Sequence, residues 1–239
     1  MSRRLRTTRK PESDQLTRRD AAGEAPGRLA EVSSRARVDA LWLETFQRIA
    51  ARSAHEVKGA LNGVSVNLEV VRSRAEKPDN PASVVSRYAT VASEQLGSVI
   101  SMTEALLALA RPMHEPVDVA LLVRRLGALL VPAARSGGGE LQIVVSMDEA
   151  PVDAEANAVR IVVGAALLAA VEGAGEGPAR CQVIGGDSPC VRVEGAVGSL
   201  HLHDAVFLAA RDAHIRIDVE QSAISISFPR DGGRAAENS

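Results

Sequence analysis

Aromatic residues are nearly missing from this chain, at 2% of its 239 residues. Its hydrophobic fraction is nevertheless 46%, and most of that is Ala, Val, Leu and Ile. A core must therefore be built from small aliphatic side chains. Because Ala and Leu favour helices, we expect helix to dominate. The few aromatic residues are Trp42, Phe46, Tyr88, Phe207 and Phe228.

The chain also has few cysteines, a small net charge and no long apolar run. Cys181 and Cys190 form neither a disulfide framework nor a Cys-x-x-Cys zinc motif, so we expect reduced thiols. A net charge of −2 gives no global attraction to nucleic acid. No run approaches the roughly 18 apolar residues of a membrane span, and the N-terminus lacks the apolar stretch of a signal peptide. These absences predict a cytoplasmic protein with no membrane span and no nucleic-acid partner.

Basic residues are concentrated at the N-terminus, where positions 1–37 hold ten Lys or Arg against five Asp or Glu. Residues 1–35 lack apolar periodicity, which predicts a disordered basic tail. Such charge runs are usually solvated, so a solvated tail is favoured over an arm that touches nucleic acid or membrane. Residues 231–239 are predicted to form a second disordered tail.

Two amphipathic helices are predicted within residues 36–112, over Val38–Ala75 and Ala82–Ala110, separated by a break at Lys77–Pro81. In both helices the apolar positions alternate steps of four and three, which is the spacing of a helix–helix seam. A lone hairpin cannot cover such a seam, so we expect two copies to form a four-helix bundle as a homodimer. The seam positions are Phe46, Ala50, Ser53, Val57, Ala60, Val64, Asn67 and Val71, then Tyr88, Ala92, Gln95, Val99, Met102, Leu106 and Leu109, with Leu61 and Leu68 widening the first set.

Residues 116–230 predict an α+β domain in the order α-β-α-β-β-α-β-β, with the helices on one face of a mixed sheet. Pro132 and the three glycines after Ser136 are expected to end its first helix. The predicted helices are Val117–Val131, Ala154–Gly173 and Leu202–Ala213, and the predicted strands are Leu141–Met147, Arg180–Ile184, Val191–Glu194, Ile215–Val219 and Ala223–Phe228.

His55 is the candidate reactive residue of the first helix. It lies two residues before Val57 of the seam, which is about 200° around an α-helix, so its ring should face water. An exposed histidine is by default an ordinary surface residue. The adjacent Glu56 could orient the ring or accept its proton, and the ammonium of Lys58 could attract a phosphoryl group. A neutral imidazole is a competent nucleophile near neutral pH.

The segment Ser53-Ala54-His55-Glu56-Val57-Lys58-Gly59-Ala60-Leu61-Asn62 resembles the phosphoacceptor box of bacterial sensor histidine kinases. The resemblance covers roughly residues 40–230. It implies that His55 is phosphorylated, that Glu56 is its acid/base or orienting partner, and that Lys58 and Asn62 belong to the same site. The family often has Thr or Asn where this chain has Gly59, which puts dephosphorylation of the partner in doubt.

The nucleotide-binding signature of that family is missing. Ala169 falls where the family has its magnesium-binding Asn, and a methyl group cannot ligate Mg²⁺. The segment 193–198 lacks the adenine-binding aspartate, and the lid is reduced to a few residues before Leu202. The resemblance therefore implies a degenerate ATP-binding domain, no cofactor or metal bound by this chain, and doubtful autokinase activity.

Three hypotheses follow from these patterns. The first is a histidine phosphotransferase that exchanges phosphate with the aspartates of response-regulator receiver domains, with Mg²⁺ expected on the receiver. The second is a divergent ATP-dependent histidine kinase, and the third is a non-catalytic scaffold that binds response regulators or kinases. A metal site at His201 and His203 is weakly indicated, because no second pair of ligands accompanies them.

Overall fold

A computed structural model describes residues 17–77, 81–113, 116–173, 177–186, 188–195 and 202–229. The chain divides into two compact units, residues 1–40 and 41–239. In the first unit the described residues are helical. The second unit contains the rest of the helical hairpin and the α+β domain.

Helix α1 runs from Thr17 to Ala75, so it begins well before the predicted start. The prediction of a disordered tail over residues 1–35 is therefore wrong from Thr17 onward. The physical reason is that residues 17–35 include four Arg, four Ala and two Glu, which favour helix even where no apolar periodicity is present. Residues 1–16 and the predicted tail at 231–239 lie outside the described residues.

Helix α2 spans Ala82–Ala110, as the seam spacing predicted. The two helices of the hairpin approach closely at Gly63, where an added Cβ would collide with the side chain of Gln95. Asn67 Nδ2 donates to Gln95 Oε1 at 3.2 Å and to the Gly63 carbonyl at 2.8 Å. Glycine inside a helix is unfavourable. At this position the close approach of the two helices explains its presence, because a larger residue would not fit.

The α+β domain carries its helices on a mixed five-stranded sheet, which confirms the predicted fold class. The strands lie in the order β2-β4-β5-β7-β6, with β2 and β4 parallel and the other neighbours antiparallel. Side chains alternate along β4, where Ala179, Cys181 and Val183 are buried. The elements are β1 (Val117–Asp118), α3 (Val119–Ser136), β2 (Glu140–Val145), β3 (Pro151–Val152), α4 (Ala156–Gly173), β4 (Pro178–Ile184), β5 (Cys190–Glu194), α5 (Asp204–Asp212), β6 (Arg216–Val219) and β7 (Ala223–Ser227).

Helix α3 differs from the prediction because it continues through Pro132 to Ser136. Proline removes one backbone donor and disfavours a helix interior. Here the next two residues, Ala133 and Ala134, are buried at 8% and 2% exposure, so packing of the last turn offsets that cost. The N–H of Gly137 then donates to the Ala133 carbonyl and caps the helix.

The short strands β1 and β3 were not predicted, since two residues are too few to show an alternating pattern. They pair antiparallel, with Val117 opposite Val152. Asp118 caps the start of α3 by accepting from the backbone N–H of Leu121, and it also accepts from that of Ala150. Helix α4 is long and apolar enough to cross a membrane, but 83% of it is buried inside the fold, as in the core helix of a globular domain.

Candidate functional site

His55 lies on the open side of α1, and its side chain is exposed, as the helical spacing predicted. Ser53 lies on the opposite side of the helix, where it is fully buried and donates to the Ile49 carbonyl at 2.9 Å. Lys58 and Asn62 are also exposed, and they follow His55 by three and seven residues. That spacing places all three side chains on one face of the helix. The geometry therefore leaves the imidazole accessible to a large partner.

Glu56 is half-buried, because it turns from the open face toward the α+β domain. Its Oε2 accepts a hydrogen bond of 2.5 Å from the hydroxyl of Ser136, in the last turn of α3. The residue next to the candidate phosphoacceptor is thus held by a side chain eighty positions away in the sequence.

The α+β domain is tied to the same helix one and two turns before His55. The guanidinium groups of Arg48 and Arg52 both contact Glu172 Oε1, at 2.7 and 3.1 Å. Glu172 lies at the end of α4. These pairs are partly exposed, and such pairs contribute little energy each. They nevertheless indicate which face of α1 meets the domain.

A third tie is the buried side chain of Arg160 on α4, which is 2% exposed. Its guanidinium stacks over the indole of Trp42, 5.0 Å from the ring centroid. It also donates to the carbonyl of Arg111 at 2.6 Å and contacts the Met113 sulfur. Arg160 therefore joins α1, the segment after α2, and α4.

The environment of Arg160 lowers the pKa of its guanidinium. The largest cause is desolvation by burial, and the charge of Arg125 acts in the same direction. Glu155 opposes both effects. Stacking on an aromatic face and hydrogen bonding to a carbonyl are the ordinary ways in which a protein stabilises a buried guanidinium.

Helix α1 covers the part of α4 where the family resemblance would place a nucleotide. A cleft of about 200 Å³ lies there. On α4 it is bordered by the small, buried Ala169, the position that lacks the magnesium-binding Asn, and by Ala165. The rest of its lining is Leu41, Glu44, Thr45 and Arg48 of α1, Glu172 of α4, and Leu202, His203, Ala205 and Val206 at the start of α5.

Close packing of α1 on α4 depends on Gly164, since an added Cβ there would lie 3.3 Å from Thr45 Cγ2 and 3.5 Å from Ile49 Cδ1. Methyl groups and the carboxylates of Glu44 and Glu172 line the cleft. Carboxylates repel a polyphosphate, and the Arg48 guanidinium that could attract one is already paired with Glu172. Among the described residues that line the cleft, no unpaired Lys or Arg is left for a polyphosphate.

The described residues contain no group of three or more His, Cys, Asp or Glu that could hold a metal ion. His203, one half of the weakly indicated metal pair, instead begins α5: its Nδ1 accepts from the backbone N–H of Ala205 at 3.2 Å. His201 and the segment 196–201, where the adenine motif and the lid were sought, lie outside the described residues.

Comparisons with known proteins find similarity in structure alone. No protein-family model matches the chain, and no curated protein does. Several similar solved structures are those of histidine kinases. Full-length ShkA in complex with AMPPNP has 18% identity and a TM-score of 0.39, and the similarity covers 77% of this chain and 46% of ShkA.

Two further similar structures give the same result. Histidine kinase AdeS of Acinetobacter baumannii has 14% identity and a TM-score of 0.35, with 74% of this chain and 98% of AdeS covered. The cytoplasmic segment of histidine kinase QseC has 17% identity and a TM-score of 0.37, with 57% and 93% covered. All three TM-scores lie below 0.5. Similarity at this level leaves the activity to be inferred from the chain's own residues.

Sequence patterns did not indicate three residues that connect helix α1 to the α+β domain: Ser136, Arg160 and Glu172. Ser136 lies in the turn that Pro132 was expected to exclude. Arg160 interrupts the apolar run 158–171 of α4, and that interruption was the available signal for a buried, specifically paired charge. Glu172 was noted as part of α4, but its two arginine partners lie more than a hundred residues away, beyond the reach of local patterns.

Proposed function

We propose that this chain is a histidine phosphotransferase of a phosphorelay, in which His55 receives a phosphoryl group from the aspartate of one receiver domain and passes it to another. The observation that carries the proposal is the exposed imidazole on the open face of α1, with Lys58 and Asn62 beside it. The pairing of Arg48 with Glu172 in the α4 cleft supports a receiver over ATP as the donor.

The transfer uses chemistry that these residues can supply. A neutral ring nitrogen of His55 attacks the phosphorus of an aspartyl phosphate, a P–N bond forms, and the P–O bond breaks as the carboxylate leaves with its electron pair. The imidazolium that results can release its other ring proton to Glu56 or to water. Lys58 offsets the negative charge of the arriving phosphoryl group. The receiver would bring its Mg²⁺, so the histidine side contributes chiefly position.

The same proposal includes a homodimer in the cytoplasm that binds response-regulator receiver domains. Large apolar side chains lie exposed along both hairpin helices: Leu61 and Leu68 on α1, and Leu96, Ile100 and Leu107 on α2. Their exposed fractions are 44–57%. A second hairpin would cover this stripe and complete a four-helix bundle, leaving His55 outside it.

A two-donor labelling assay tests the proposal. Purified protein is mixed either with labelled ATP and Mg²⁺ or with a labelled, phosphorylated receiver. Wild type and the control variant His203→Gln are expected to take label from the receiver, whereas His55→Gln takes none.

Label from ATP alone would contradict the proposal and identify a divergent kinase. Binding of phosphorylated and unphosphorylated receivers without any label on His55 would instead identify a scaffold. A panel of receivers from the same genome provides the donors, so that a missing cognate receiver does not imitate the scaffold result.

A further inference from the structure

The hydroxyl of Ser136 is the group from the α+β domain that contacts the neighbour of His55. It donates to Glu56 Oε2 at 2.5 Å. The contact joins the last turn of α3 to the middle of α1. A glutamate on an exposed helix surface normally samples several rotamers. A hydrogen bond to a fixed hydroxyl selects one of them.

The turn that carries Ser136 is well anchored. Ala133 and Ala134 are buried, and the N–H groups of Gly137 and Gly139 donate to the carbonyls of Ala133 and Ala134. Gly138 has a φ of 84°, a conformation that glycine adopts without strain, so the chain can reverse directly after Ser136. The hydroxyl is therefore presented from a turn whose backbone is hydrogen-bonded to the end of α3.

The contact is also held in place by the other ties between α1 and the domain. Arg48 and Arg52 of α1 bind Glu172 of α4, and Trp42 of α1 stacks on Arg160 of α4. The spacing of Trp42, Arg48, Arg52 and Glu56 follows one side of α1 over about four turns. Ser136 lies at the end of this line that is nearest to His55.

We propose that Ser136 is a positioning residue for phosphoryl transfer at His55 and that it acts by holding the carboxylate of Glu56, the next residue in the helix, in one orientation. This inference rests on the proposed function, because it assigns Ser136 a part in the same transfer. The second domain, without a nucleotide of its own, thereby contributes to the phosphoacceptor site. Sequence spacing alone could not indicate this, since the two residues belong to different domains.

Loading with phosphoramidate tests the inference without any receiver. The ring nitrogen of His55 attacks phosphorus, a P–N bond to the imidazole forms, the P–N bond of phosphoramidate breaks, and ammonia leaves. The loading rate of the full chain is followed by intact mass, and the site is located by fragmentation. The variants are Ser136→Ala, Ser136→Thr, Glu56→Ala, the double variant Ser136→Ala/Glu56→Ala, and His55→Gln. Ser65→Ala is the matched control, because Ser65 is an exposed serine of α1 that donates only to the Leu61 carbonyl.

The inference predicts that Ser136→Ala loads about three- to ten-fold more slowly than wild type, as expected for loss of a hydrogen bond to a charged group at a partly exposed site. Ser136→Thr keeps the hydroxyl and restores the rate to within about two-fold. In the Glu56→Ala background the Ser136→Ala change has no further effect, because its partner is gone. Thermal unfolding of the single variants should match that of the Ser65→Ala control.

Two results would overturn the inference while leaving the proposed function intact. One is a Ser136→Ala protein that loads at the wild-type rate on His55. The other is a double variant slowed by the full Ser136→Ala factor relative to Glu56→Ala, since Ser136 would then act independently of Glu56. Loading of wild type at a histidine other than His55, or no loading, would instead remove the proposed phosphoacceptor and this inference with it.

Discussion

At the scale of single residues, burial decides the behaviour of the groups that most affect stability. Arg160 retains a polar side chain in an apolar helix because Trp42 and the Arg111 carbonyl replace the water it has lost. Removing either partner leaves a desolvated cation, which is costly. The guanidinium therefore makes the packing of α1 on α4 specific as well as stable.

Cys181 gives a pH-dependent prediction at the same scale. Burial raises the pKa of its thiol from 9.0 to about 12. Between these values the unfolded chain ionises while the folded chain stays neutral, so the thiol's contribution to stability is complete below pH 9 and is lost as pH rises. The loss is about 1.4 kcal/mol per pH unit. The free energy of unfolding of wild type minus that of Cys181→Ala is expected to fall by about that amount from pH 8 to pH 10.

The measurement is urea unfolding of both proteins at the two pH values. Cys190→Ala is the control, because Cys190 is only half-buried and its variant should follow wild type at both pH values. If the free energy of unfolding of wild type minus that of Cys181→Ala stayed constant between pH 8 and pH 10, the Cys181 thiol would ionise equally in the folded and unfolded chain.

At the scale of elements, substitutions at the two glycines of the His55 helix distinguish the effect of side-chain packing on stability from the effect of helix propensity. Gly59 has no neighbouring atom within 4 Å of an added Cβ, whereas one at Gly63 meets the Gln95 side chain. Gly59→Ala is therefore expected to raise the free energy of unfolding by about 0.5–1 kcal/mol, through helix propensity and a less flexible unfolded chain. Gly63→Ala is expected to lose that gain, because Gln95 must move away from Asn67.

Chemical denaturation of the two variants beside wild type makes the comparison. Equal stabilisation by both substitutions would contradict the close approach of α1 and α2 at Gly63. Destabilisation by Gly59→Ala would mean that a neighbour absent from the single chain, such as a second copy, occupies the space beside it.

Most of the fold was predictable because its long elements carry strong periodicity. The breaks at Lys77–Pro81 and Arg111-Pro112 predicted the approximate bounds of α2, and alternation predicted the last two strands of the five-stranded sheet. The exceptions have local causes. Pro132 predicted the end of α3, but the buried alanines that follow it keep the chain helical. The lack of periodicity before residue 36 predicted a tail, but helix propensity favours a helix there. The exposure of His55 followed from its angle to the seam, but the contact of Glu56 with Ser136 depends on tertiary packing.

At the scale of the whole molecule, the exposed apolar stripe on the hairpin predicts self-association. Leu68→Glu is expected to convert the proposed dimer into monomers, because a carboxylate buried in a bundle without a partner is strongly disfavoured. Leu208→Glu is the matched control. Leu208 is 51% exposed on α5 and Leu68 is 52% exposed on α1, so the two changes differ in location and not in exposure.

Sedimentation velocity at several protein concentrations measures the outcome. Wild type and Leu208→Glu are expected to sediment as dimers, and Leu68→Glu as a monomer. The stripe would be excluded as the dimer interface if Leu68→Glu remained a dimer. It would also be excluded if wild type were a monomer throughout.

The most direct test of the central claim is the site of phosphate after transfer from a receiver. The chain is incubated with a phosphorylated receiver and Mg²⁺, separated from it under alkaline conditions that preserve phosphohistidine, and fragmented in a mass spectrometer. We expect phosphate on His55 and on none of the other four histidines, with loss of that phosphate when a second, unphosphorylated receiver is added. Phosphate on another histidine, or a His55 phosphate that appears with ATP but not with any receiver, would contradict it.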